Sequence, residues 1–230
     1  PWVNPPHEEE VNPRNSYAGN LPPDLERDKF RRLRDAIVEN FDTVPHIYRA
    51  GRYGLGPQTA RMLKEGGIAI DSSVRAGFDY SPGHGPDYSR HPATPYWLDE
   101  EGHLLELPLT TVFWGILRRQ GAWLHPQCRK IPRMGSVLAR LGMLERIALT
   151  PEGVSSEEAL RGIDIAIDDG LPLLVLSFHS PSLAPGNTPH VSSEDDLDRF
   201  YDWWRAVYAY LDQRAVRPTT VAEIMDRVTV

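Results

Sequence analysis

A chain of 230 residues with 40% hydrophobic content can bury one large core, so the expectation is a single domain, 1–230. The formal net charge of −7, from 25 basic and 32 acidic residues, leaves no footprint for a polyanion and argues against nucleic acid as a partner. The lone Cys128 excludes an internal disulfide and a cysteine-built zinc site and points to a reducing, cytoplasmic setting; no apolar run approaches the ~20 residues of a membrane span.

Residues 1–20, rich in proline and asparagine without apolar periodicity, read as an extended loop. From Asp24 to Phe41 the residues Phe30, Leu33, Ile37, Val38 and Phe41 recur at helical spacing with charges between them, which predicts an amphipathic helix. The segment HIYRAGRYGLG (46–56) follows Pro45 and predicts a short strand and a glycine-punctuated loop. PQTARMLKEGG then predicts a helix closed by Gly66 and Gly67, and IAIDSS another strand. Residues 74–95, rich in glycine, proline and tyrosine, are too long for an ordinary connection and suit a substrate-side loop. YWLDEEGHLLELPLT predicts a hairpin, and within 113–149 only GSVLARLGMLE has a clear helical pattern. SSEEALRGIDIAIDDG predicts a capped helix with Glu157 and Glu158 in its first turn. LPLLVLSFH, bounded by Gly170 and Pro181, predicts a buried strand of a parallel sheet, and two more helices follow, SSEDDLDRFYDWWRAVYAYLDQRA and TTVAEIMDRV. Alternating strands and helices predict an α/β fold with a parallel sheet wrapped by helices.

Three polar clusters end successive predicted strands, where parallel sheets place chemistry. His179 is either a satisfied core histidine or a proton-transfer group whose tautomer Ser180 could hold. Arg49 and Arg52 could fork onto a carboxylate or could be two surface arginines on a turn. Asp71 to Ser73 could be site residues, a helix cap or a turn. His7 reads as solvated in its proline-rich loop, and His84 and His91 lie in the long loop. Trp203 and Trp204, with Phe200, Tyr208 and Leu211, stand at packing spacing, whereas Trp97, Trp114 and Trp123 could form a sugar platform. No H-x-x-x-H spacing, G-x-S-x-G elbow or P-loop occurs, which removes the main support for helical metal sites, serine hydrolases and kinases.

Taken in order, IYRAGRYG, IAIDSS, LLELPLT, LVLSFHSPSL and PTTVAEIM resemble the polysaccharide deacetylase superfamily, carbohydrate esterase family four and its relatives, over Ile47 to Met225. The resemblance implies an irregular (β/α) barrel, usually of seven strands. It implies hydrolysis of N-acetyl or related acyl groups on a carbohydrate by a divalent metal such as zinc, in bacterial cell-envelope polysaccharide metabolism. By position, Arg49 matches the motif arginine that orients a catalytic aspartate, Gly54 the glycine closing that motif, His179 the general acid, and Leu176 the apolar wall of the acetyl pocket. Arg52, Tyr53, Asp71 and Ser180 are then the expected substrate contacts. The family's metal ligands stand amino-terminal to its arginine motif and have no counterpart in residues 1–48. The chain is therefore expected to be part of a longer protein, with the barrel incomplete at its amino terminus. Two alternatives remain: a glycan-binding relative that has lost the metal, and a hydrolase of small cyclic amides.

Overall fold

The computed structural model describes residues 4–128, 131 and 133–228; residues 1–3 of the expected amino-terminal loop lie outside it. In chain order the regular elements are α1 (Pro23–Phe41), β1 (Ile47–Tyr48), α2 (Thr59–Glu65), β2 (Ile70–Asp71), β3 (Tyr96–Trp97), β4 (Leu105–Glu106), β5 (Thr111–Trp114), α3 (Gly121–Cys128), α4 (Met134–Arg140), β6 (Glu145–Ala148), α5 (Ser156–Asp168), α6 (Glu194–Gln213) and α7 (Val221–Arg227). The chain divides into two compact units, one running to Pro108 and resuming at Thr220, the other spanning Leu109–Thr219.

In the first unit β1, β2 and β4 run parallel and β3 pairs antiparallel with β4, giving the order β1-β2-β4-β3. The expected hairpin supplies β3 and β4. The strands are short because side chains take over the ladder: the carbonyl of Ser72 accepts from Arg49 Nε at 3.0 Å instead of from a backbone N–H. Met62, Leu63, Ile68 and Leu104 form the core between α2 and the sheet, joined by Phe30 of α1. Gly66 ends α2 where a Cβ would stand 2.4 Å from the Phe30 ring, so only glycine lets α1 and α2 approach this closely.

Helix α1 forms where its periodicity predicts, but it does not bury the predicted stripe. Leu33 and Phe41 are exposed, while Glu26 and Lys29 are buried. Specific partners explain the inversion: Lys29 Nζ donates to the carbonyls of Asn4 and Pro6 and pairs with buried Glu9 at 3.0 Å, and Glu26 accepts from the Thr59 hydroxyl at 2.6 Å. A buried charge met by several partners in this way costs little, so the proline-rich amino-terminal stretch lies over the helix's polar side.

In the second unit β5 and β6 pair antiparallel from Thr111↔Ala148 to Trp114↔Glu145. Against them lies α5, whose Gly162 would place a Cβ 3.0 Å from Ile147 and 3.2 Å from Leu149, so the helix is seated at backbone distance. Trp203 and Val207 of α6 close the core over Leu149, Ala159 and Ile163. This is the expected packing face, with Trp204 and Leu211 partly buried and Tyr208 exposed. Ser155 opens α5 with a capping box shared with Glu158. Ser155→Ala is expected to cost about 1 kcal/mol of unfolding free energy, read by urea denaturation.

The structure is mixed α/β, as expected, but among the described residues neither sheet closes into a barrel. The largest difference is at 171–179, which carries no strand and belongs to no ladder. Its Val175 N–H donates to the Thr110 hydroxyl at 2.7 Å, a side chain, while its carbonyl accepts from Thr110 N–H at 3.0 Å. Ser177 N–H reaches the Leu149 carbonyl at 3.2 Å. Beside β5 and β6 the segment thus satisfies its backbone piecemeal, with Thr110 taking the bond that a neighbouring strand's carbonyl would have made.

Candidate functional site

The expected site residues fall in both units: Arg49, Arg52, Tyr53 and Asp71 in the first, Leu176, His179 and Ser180 in the second.

In the second unit the 177–182 stretch wraps around one carboxylate. Phe178 packs edge-on against Phe200 at 5.4 Å and Trp204 at 5.6 Å, which anchors the segment on α6. The next residue then meets Glu152, just beyond the end of β6. His179 N–H donates to Glu152 Oε1 at 2.9 Å, its ring Nδ1 lies 2.5 Å from Oε2, and the buried Ser182 hydroxyl donates to Oε1 at 2.7 Å. The Glu152 side chain is 6% exposed and that of His179 45%. Burial alone would raise the Glu152 carboxyl, but the hydrogen bonds from the His179 side chain and backbone and from Ser182 outweigh it and bring it down to about 2. A carboxylate ionised this firmly holds Nδ1–H and stabilises an imidazolium. The tautomer-holding role expected of Ser180 belongs to Glu152; Ser180 is exposed and begins the turn Ser180–Leu183. Leu176 packs against the core around Leu149 and Trp203.

In the first unit the sheet register sets four side chains in one row, Tyr48, Asp71, Glu106 and Tyr96. Asp71 is 1% exposed and Glu106 0%. Asp71 Oδ1 accepts from the Ser73 hydroxyl at 2.5 Å, and Glu106 Oε1 from Val74 N–H at 2.9 Å. The other two oxygens, Asp71 Oδ2 and Glu106 Oε2, are buried without a hydrogen-bond partner, and the two carboxyl groups stand side by side in the row. Two buried carboxyls this close favour sharing a proton over carrying two charges. Burial pushes both carboxyls upward, and the neighbouring Asp71 charge raises Glu106 further. Asp71, expected at the substrate, is therefore turned into the protein.

Arg49 stands at the rim of this row, exposed, with Nε on the Ser72 carbonyl and Nη2 on the Ser72 hydroxyl at 2.9 Å. Ala50 N–H donates to the Ser73 hydroxyl at 2.9 Å, so the DSS motif fixes the strand end that carries Arg49. A cavity of about 340 Å³ beside it is lined by Glu26, Lys29, Tyr48, Arg49 and Arg52. Arg52 donates to the Ser16 hydroxyl at 2.6 Å and lies over the Tyr17 ring, fastening the amino-terminal stretch. Tyr53 adopts a left-handed backbone, φ 59°; its carbonyl accepts from the Tyr88 hydroxyl at 2.6 Å and its ring stacks on Tyr80 at 5.8 Å.

Sequence reasoning missed Glu106 and Glu152. Glu106 is the one charge inside the apolar run LLELPL, and Glu152 follows a strand by a few residues; both positions were visible as a carboxylate in or after buried sequence. The acidic and histidine group Asp99, Glu101 and His103 sits in the β3–β4 turn, where Asp99 is paired with Lys64 at 3.1 Å and His103 with Glu101 at 3.1 Å. With Asp99 already paired to a lysine and the other two exposed, this turn does not fit a catalytic metal. No family model, curated protein or solved structure matches the chain.

Proposed function

We propose that the chain belongs to a hydrolase that removes N-acyl groups from a carbohydrate, with His179 as the group that protonates the leaving amine. The observation that carries the reading is the Glu152–His179 pair: a buried, firmly ionised carboxylate on Nδ1 of a half-exposed imidazole at the end of the 171–179 segment. The ordered motifs that resemble the deacetylases support it.

With Nδ1–H committed to Glu152, proton exchange with substrate runs through Nε2. In amide hydrolysis water adds to the carbonyl carbon, the C–N bond breaks, and the nitrogen leaves as a neutral amine only if it gains a proton; an imidazolium supplies one. Glu152 stabilises that imidazolium and keeps the ring oriented. The divalent metal that the resemblance implies finds no fitting ligand set among the described residues.

The test is acetate release from N-acetylhexosamine oligomers by the full natural protein and its Glu152→Gln variant. Removing the charge behind Nδ1 destabilises the imidazolium, so the limb of the pH profile that reports the protonated histidine is expected to move to lower pH, with a lower maximal rate. No acetate from any acylated sugar in the panel would discard the carbohydrate-hydrolase reading and leave the glycan-binding and cyclic-amide alternatives.

A further inference from the structure

The connection between β5 and β6, residues 115–144, carries Arg118, Arg119, Arg129, Lys130, Arg133 and Arg140 and not one aspartate or glutamate, in a chain whose formal net charge is −7. Arg119, Arg133 and Arg140 are exposed, whereas Arg118 is half-buried and pairs with Asp169. The same connection exposes large apolar side chains: Ile116 at 83%, Trp123 at 71% and Leu141 at 64%, with Val137 also exposed.

These residues are organised. Arg133 caps α4 and Leu141 follows it, so Arg133, Val137, Arg140 and Leu141 stand at i, i+4, i+7 and i+8, one stripe along one helix face. All four are exposed, while Met134 and Leu138 between them are partly buried. Ile116 N–H donates to the Gly142 carbonyl at 3.2 Å and Leu117 N–H to the Met143 carbonyl at 2.9 Å, which seats Ile116 beside the end of the stripe. Clustered apolar exposure of this kind marks an interaction surface.

The chemistry of the face selects its occupant. Uncompensated arginines call for an anionic partner, and exposed isoleucine, leucine and tryptophan call for hydrocarbon; a hydrated polyanion would satisfy the first and leave the second in water. We propose that this face docks on an anionic lipid bilayer, with Ile116, Val137 and Leu141 entering the acyl boundary and Arg133 and Arg140 at the headgroups. This is adsorption to a surface: among the described residues no helix is long and apolar enough to cross a membrane. The proposal does not depend on the hydrolase reading.

The experiment is co-sedimentation of the 230-residue chain with phosphatidylcholine vesicles, with and without phosphatidylglycerol, at low and raised salt. Binding is expected only with the anionic lipid, weakening as salt rises. Arg133→Gln with Arg140→Gln should weaken it about fivefold per charge. Ile116→Ser with Leu141→Ser should weaken it at least tenfold, by the order of magnitude of buried aliphatic surface, and circular dichroism should show both doubles folded because all four side chains are exposed. No sedimentation with anionic vesicles at low salt would overturn the proposal. So would binding that the serine pair leaves unchanged, since a lipid surface must feel those two residues; that result would point to a soluble polyanion.

Discussion

The His179→Ala protein is expected to release acetate from an N-acylated sugar roughly 10²- to 10⁴-fold more slowly than the natural chain, the loss typical of a removed general acid. The side chain is 45% exposed and its partner Glu152 keeps the Ser182 hydroxyl, so thermal stability should change little and the loss can be assigned to chemistry. The leaving group gives a sharper readout. An amine must be protonated to depart, whereas an aryl oxide need not be, so an activated aryl acetate should be hydrolysed by the alanine variant at close to the natural rate. Equal losses on both substrates would remove His179 from the role of proton donor. An unchanged rate on both would return it to a structural histidine.

The Asp71–Glu106 pair predicts a pH dependence of stability with a definite sign. Both carboxyls titrate higher in the folded protein than in the unfolded chain, because burial penalises their charged forms. The folded state therefore holds protons that the unfolded state has released, and unfolding free energy falls as pH rises from about 4 through neutrality, by up to ~1.4 kcal/mol per pH unit for each proton concerned. Glu152 acts oppositely: its lowered pKa contributes stability above its ordinary range that is lost as pH falls toward about 2. Glu106→Gln separates the two. The amide can accept from Val74 N–H and donate to Asp71 Oδ2, reproducing the protonated acid without its titration. Urea unfolding across pH 5 to 8, above the ordinary carboxylate range and within the range to which burial raises this pair, should then show a flatter dependence than in the natural chain. Glu106→Ala instead strands a buried N–H and opens a cavity, at a cost of about 3–5 kcal/mol. An identical pH slope in the natural and glutamine proteins would show that the pair shares no proton.

Helices with explicit start and stop chemistry were legible in the sequence. Ser155 with Glu158, Ser193 with Asp196 and Thr220 with Glu223 each make a capping box, and Gly66 and Gly67 stop α2 where expected. The strands were legible as positions but not as lengths, since a two-residue ladder is decided by what meets each end. Nothing local says that Arg49 will take the Ser72 carbonyl or Thr110 the Val175 N–H. The burial of Lys29 depends on carbonyls more than twenty residues away, and no helical periodicity encodes that. The same distance hid half of the candidate site. Histidine at the end of an apolar run drew attention by itself, whereas Glu152 is 27 residues upstream and acquires meaning only when the chain brings it to Nδ1. The charge totals, finally, averaged away the acid-free connection between β5 and β6.

Tyr53 carries one further consequence. Its left-handed backbone costs a tyrosine on the order of 1 kcal/mol that glycine would not incur. The bond from the Tyr88 hydroxyl, however, lands on the main-chain carbonyl, which every residue possesses, while the stack on Tyr80 belongs to the ring. Substitution tolerance at this position therefore has two layers. Glycine and asparagine keep the tether between the 51–56 turn and the long loop and lose what the ring makes, the stack on Tyr80 and the Arg75 guanidinium over its face; β-branched residues, which resist positive φ, lose the tether as well. Variation among natural sequences at this position would accordingly sort by backbone reach first and by aromatic character second.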